Sequence, residues 1–123
     1  MKKTIYTFVT IFLMVALPNR AFAGDGQAGV VHLDSVGVIP VALGQHHAGN
    51  IEVRVTGGFR LPDGVSCDGN ILTTLKTSDP DKKLLAVLLL AKTLDRPIFL
   101  WITDDPLLNA FPGRCSIMSA DLY

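Results

Sequence analysis

Residues 84–91, LLAVLLLA, are apolar without a break, and they constrain the chain more than any other stretch. The residues around them predict a helix. Ser78 or Asp79 can cap it, and Pro80 fits the first helical position, where its missing N–H costs nothing. Asp81 falls in the first turn and Lys92 in the last full one, the signs that the helix dipole favours. The helical stretch is therefore expected within residues 78–96. At about 100° per residue the apolar run covers the whole circumference, whereas a helix lying on one sheet needs a stripe only about 100° wide. Crossing a bilayer takes about 20 apolar residues, and Lys82, Lys83, Lys92 and Asp95 fence the run in well before that. A second apolar face is left over. Either long loops of the same chain or further copies of it must cover that face, and copies are the expected cover. Leu84, Val87, Leu88 and Ala91 are the expected oligomer-interface, pore-lining positions.

Residues 1–23 read as a secretory signal peptide. Lys2 and Lys3 form the positive end, residues 5–17 the apolar core, and Ala21-Phe22-Ala23 the small-x-small cleavage pattern. A core of about 13 residues is too short to anchor in a membrane. Cleavage after Ala23 would leave residues 24–123 as a single domain, secreted or periplasmic, with no transmembrane segment. Lys2, Lys3 and Arg20 would leave with the leader. Eleven Lys and Arg less these three is eight, against eleven Asp and Glu, a net charge near −3. That balance offers no electrostatic reason to bind nucleic acid or an anionic membrane. Cys67 and Cys115 both follow the cleavage point, and in an exported chain a disulfide between them is the default. Closing that loop is worth about 4 kcal/mol on the chain-entropy model.

The remaining residues suggest short strands. Residues 24–29 are Gly-rich and expected to be loose, while residues 30–39 are β-branched, end at Pro40 and suggest a strand bulged near Gly37. Residues 51–56, IEVRVT, alternate cleanly, with Ile51, Val53 and Val55 on one face and Glu52, Arg54 and Thr56 on the other. Turn signals fill 57–70. Further strands are expected at 71–76, at the doubly apolar 98–102, and at 115–123 with Met118, Ala120 and Leu122 inward. The expected fold is mostly β with one helix (α+β), a small OB-type antiparallel barrel plugged or flanked by that helix.

The C-terminal half resembles a known family. A cysteine, a short strand, a helix of the form KKLLAVLLLAKTLDRP, the apolar strand FLWI and a Cys-led last strand are similar to the binding (B) subunits of pentameric AB-type toxins, within them the pertussis-like and subtilase-cytotoxin-like branch. The resemblance covers residues 66–123. It implies an OB-type barrel, a homopentameric ring with helices lining its pore, binding of sialylated or other cell-surface glycans, and delivery of a separate catalytic A subunit. Residues 84–91 depart from it, because pore-lining helices of that family usually carry more charge. No sugar-contacting motif of the family aligns with the N-terminal half.

Few residues suggest chemistry. His46-His47 and His32 lack companions at metal-ligand spacing, so a solvated loop is expected and no metal. Asp104-Asp105, before Pro106, suit a turn. No Ser–His–Asp set, phosphate-cradling Gly loop or nucleophile elbow is present, so neither catalysis nor a cofactor is expected. If Ile98, Leu100 and Ile102 face the core, Phe99 and Trp101 share the opposite face. Two outward aromatics imply a covered surface, a subunit contact or a sugar-stacking platform. Asn50, Glu52, Arg54 and Arg60, with Trp101, are the candidate glycan-binding residues. The expected function is an exported, non-enzymatic toxin-type binding subunit. The alternative is a small exported interaction protein that docks through its sheet edge or its helix.

Overall fold

A computed structural model of the protein describes residues 23–123, so the expected leader, apart from Ala23, lies outside the described residues. Six strands form one sheet: β1 (Asp25–Val31), β2 (Leu33–Ile39), β3 (Asn50–Val55), β4 (Ile71–Thr74), β5 (Ile98–Thr103) and β6 (Cys115–Leu122), with a single helix, α1 (Lys83–Thr93), between β4 and β5. The class is α+β, mostly β. The strand order is β1-β5-β6-β4-β3-β2. Every pairing is antiparallel except β4–β6, which is parallel through Leu72 and Cys115. Only His32 separates β1 from β2, yet these two strands hold opposite edges of the sheet. The sheet must curl for one continuous stretch of chain to reach both edges. The core lies on the concave side.

The alternation read from the sequence produces that core. Ile51, Val53 and Val55 of β3, Leu72 of β4, and Ile98, Leu100 and Ile102 of β5 are all buried. Each such side chain taken from water contributes about 1.5–3 kcal/mol. Cys67 and Cys115 form the expected disulfide, with Cα atoms 5.4 Å apart.

Three expectations for the strands fail for identifiable reasons. Residues 24–29 are not loose, because most of them belong to β1, paired with β5 from Asp25 opposite Thr103 onward. The chain entering that strand is held at both backbone groups of Gly24: its N–H donates to the Asp104 carboxylate at 2.7 Å, and its carbonyl accepts from the Thr103 hydroxyl at 2.8 Å. Gly26 is required there, since a Cβ would stand 2.5 Å from Pro62 Cβ. The expected bulge near Gly37 occurs instead between Gln27 and Gly29 and between Leu33 and Ser35. In β6 the register slips opposite Trp101 and Ile102, which turns Ile117 inward. Met118 is therefore 51% exposed rather than inward, and Leu122 is also exposed, while Ala120 packs against the core.

The helix begins later than its sequence signals suggest. Lys82 adopts a left-handed conformation (φ 60°) at the cap position, so Pro80 and Asp81 stay outside the helix. Asp79 still caps it, because its two carboxylate oxygens accept from the N–H groups of Leu84 and Leu85, each at 3.0 Å. Such a cap contributes about 1 kcal/mol. At the other end Asp95 turns left-handed (φ 50°), and the Arg96 N–H closes on the Ala91 carbonyl at 2.9 Å. This is a Schellman-type stop made without glycine. The helix packs against β2 and β6. Leu88 and Ala91 are fully buried in the core, and Leu84, Leu85 and Val87 pack beside them. These positions were expected at an oligomer interface. Leu88 and Ala91 instead face their own sheet, because a helix crossing a concave sheet presents its i, i+3, i+4 row to that sheet. The opposite face stays open, with Leu89 44% and Leu90 47% exposed and Leu94, just beyond the helix, 53% exposed. The chain's own loops do not cover it.

Candidate functional site

The five candidate glycan-binding residues separate into three places. Asn50 is withdrawn from solvent altogether, and its amide donates to the Ala110 carbonyl at 2.9 Å. That bond ties the start of β3 to the 104–114 loop, so Asn50 holds structure and cannot meet a ligand. Glu52 is engaged as well. Its carboxylate accepts from the Arg114 guanidinium at 2.6 Å and lies 3.3 Å from His46 Nε2. Arg114 stacks 3.9 Å above the Phe111 ring, and the His46 ring centre is 4.5 Å from that of Phe111. A tight bridge between Leu43 and His46 sets the histidine in place. His46 is thus packed in a polar cluster rather than solvated, while His47 is exposed. His46 Nδ1 and Asn50 Oδ1 are buried without a hydrogen-bond partner.

Trp101 and Arg60 stand on either side of one residue. Trp101 is directly opposite Gln27 in the β1–β5 ladder, and its indole N–H donates to the Asp25 carboxylate at 3.2 Å. Ile98, Leu100 and Ile102 are buried, so Phe99 and Trp101, both partly exposed, share the outer face of β5 as the alternation suggested. Gln27 also lines a cleft of about 430 Å³ together with Gly29, Arg60, Pro62 and Asp63. That volume falls in the range of small-ligand sites, roughly 300–1,000 Å³. Two features of the chain open the cleft. The bulge at Ala28 breaks the regular ladder, and Gly29, at φ 84°, leaves its backbone bare with open space in front of it. Among the described residues Arg60 has no acidic partner within ion-pair distance. The site therefore offers a guanidinium with free donors, a carboxylate (Asp63), an amide that both donates and accepts (Gln27), and an indole ring beside them. That set can hydrogen-bond a polyhydroxylated ligand and stack on its apolar face.

Arg54 is in a third place, a cleft of about 400 Å³ at the other end of the long β1–β2 strand, lined also by Asp34, Thr56, Asp68 and Asn70. Gln27, Asp25 and Asp63 escaped the sequence reading. Asp63 lies in the Pro62-Asp63-Gly64 turn, two residues beyond the Arg60-Leu61 pair, and only the fold of β1 onto β5 shows that the turn meets Gln27. Leu89, Leu90 and Leu94 were legible, since they fall on the face opposite Leu84, Leu88 and Ala91 at helical spacing.

Asp104 does more than make a turn. Its second carboxylate oxygen accepts from the Ser66 N–H at 2.9 Å, so one side chain ties the start of β1 to the loop before Cys67. Among the described residues no group of three His, Cys, Asp or Glu is placed to hold a metal ion, and no helix is long and apolar enough to cross a membrane. No protein-family model, curated protein or solved structure matches the chain.

Proposed function

We propose that this chain is an exported, non-enzymatic binding subunit that forms a homopentameric ring, binds cell-surface glycans, sialylated ones among them, and carries a separate catalytic A subunit, as its resemblance to the binding subunits of AB-type toxins implies. One observation carries the reading: the leucine face of α1, with Leu89, Leu90 and Leu94 about half exposed, which the single chain leaves uncovered. Contiguous exposed apolar surface of this kind marks an association site. The same patch meeting a different patch on the next copy closes a ring. The strand order supports an OB-type barrel. With β1 and β2 counted as one bent strand, five strands remain, the number such a barrel has.

The glycan site of this reading is the Gln27–Arg60–Asp63 cleft with Trp101 at its side. The unpaired Arg60 guanidinium suits the carboxylate of an acidic sugar, and the indole suits the face of a pyranose. Weak single sites become useful when repeated around a ring, because the second contact is intramolecular. Light scattering on the purified protein starting at Gly24 tests the assembly. The expected mass is five times that of the subunit, and a monodisperse monomer overturns the reading. Replacing Leu89 and Leu90 together by Ser is expected to dissociate the ring and leave folded monomers. On a glycan array, Arg60→Ala is expected to abolish binding of sialylated sugars.

A further inference from the structure

The Arg54 cleft carries a second assignment, which goes beyond the reading above and does not depend on it. We infer that the cleft bounded by Asp34, Arg54, Asp68 and Asn70 is a separate binding site for a neutral sugar that presents vicinal hydroxyls. Arg54 points outward from β3 between Ser35 of β2 and Ile71 of β4, its ladder neighbours. The β2 register slips between Leu33 and Ser35, so Asp34 is the extra, bulged residue, and it lines the cleft beside Arg54. Bulges of this kind re-aim a side chain at the cost of a ladder bond.

The opposite wall is fixed from several directions. The Asp68 N–H donates to the Gly113 carbonyl at 2.8 Å, and Cys67 is tethered to Cys115. The Asp68 carboxylate accepts from the Asn70 N–H at 2.7 Å, and the Asn70 carbonyl accepts from the Val55 N–H at 2.9 Å. Asn70 itself lies across Gly58, where a Cβ would stand 2.7 Å from the Asn70 side-chain oxygen, so the absence of a side chain at Gly58 makes room for that amide. The cleft is built rather than accidental.

Its chemistry selects the ligand class. Among the described residues no acid lies within ion-pair distance of Arg54, although two carboxylates line the same cleft. Five guanidinium donors and a side-chain amide therefore alternate with two carboxylates that retain acceptor capacity. Vicinal hydroxyls each donate once and accept twice, and a planar guanidinium facing a carboxylate brackets such a pair. Two carboxylates against one guanidinium leave the cleft net negative, which disfavours a carboxylate, sulfate or phosphate ligand. The groups are exposed, so an isolated site binds weakly and gains from repetition.

Amide chemical shifts of the ¹⁵N-labelled protein, followed on titration with lactose and with mannose, test the assignment. Saturable shifts are expected at Asp34, Gly57 and Asn70 with at least one of the two sugars. Arg54→Ala is expected to weaken that binding by about tenfold. Arg54→Lys keeps the charge but loses the fork and is expected to weaken binding as well, while Arg60→Ala leaves it unchanged. Four outcomes overturn the inference: no saturable shift at these amides with either sugar at tens of millimolar; shifts confined to Gln27 and Trp101, which would leave the first cleft standing and remove this one; full binding by Arg54→Lys; or the same shifts produced by sodium sulfate, which would make it an anion site.

Discussion

Glu52 and Arg54 are two residues apart on the outer face of β3, and they lead different lives. Glu52 is held by Arg114 and approached by His46, with Phe111 stacked beneath both cationic side chains. Arg54 has no ion-pair partner among the described residues. The strand does not make this difference. The 40–49 and 104–114 loops close over the Glu52 half of the face, whereas the Gly57-Gly58 turn leaves the Arg54 half open. Helix α1 repeats the contrast, with Leu88 fully buried and its neighbour Leu89 44% exposed. Identical residue types on one element divide into those the fold has used and those it has left available.

The disulfide gives the largest expected effect on this contrast, because it supports the open side. Replacing Cys67 and Cys115 together by Ala is expected to cost about 4 kcal/mol, read as a fall in melting temperature of about 20 °C. Asp68 and Asn70 follow Cys67 directly, so their amides are expected to gain hydrogen-exchange rate well before those of β3. Equal loosening of both would break the comparison. Leu88→Ala comes next, at about 3 kcal/mol, from lost transfer energy and the cavity left behind. Leu89→Ser is expected to change monomer stability by less than about 0.5 kcal/mol. Denaturant midpoints measured on the two variants should differ accordingly.

Glu52→Ala is third, at about 2 kcal/mol, because it leaves the largely buried Arg114 guanidinium without its carboxylate. Urea unfolding checks the number. The double variant Glu52→Ala with Arg114→Ala sharpens it, since removing both partners should cost less than the two single changes added together.

The sequence made one side of this contrast plain and concealed the other. Alternation in IEVRVT and in IFLWI separated core from surface correctly, because burial on one face of a strand is written at every second residue. The disulfide was readable from two cysteines in an apparently exported chain. The strand at 25–31 was not readable, since its glycines read as loop, and only Pro62, Asp104 and β5 give those glycines their place. The β6 phase failed because a bulge shifts side-chain parity without any mark at Met118. Pairing was the hardest to read. Glu52 meets Arg114 across 62 positions of chain, and Gln27 meets Arg60 through a curl of the sheet, so neither neighbour is visible in a window of local sequence.

Arg54→Ala carries the smallest expected effect on stability and the most discriminating one. An exposed guanidinium with no partner contributes little to folding, so the change should stay within about 0.5 kcal/mol in urea unfolding. It could even stabilise slightly in isolation if Arg54 orders few solvent groups, but the two nearby carboxylates would then lose their only cationic neighbour in the cleft and repel each other more. These terms oppose and are each small at high solvent exposure, which is why near-neutrality is expected rather than a gain. A loss of about 2 kcal/mol, equal to that of Glu52→Ala, would mean that Arg54 is structural after all, and the distinction between the closed and open halves of β3 would fail. Near-neutral stability together with lost sugar shifts would instead place the two residues in separate roles on one strand.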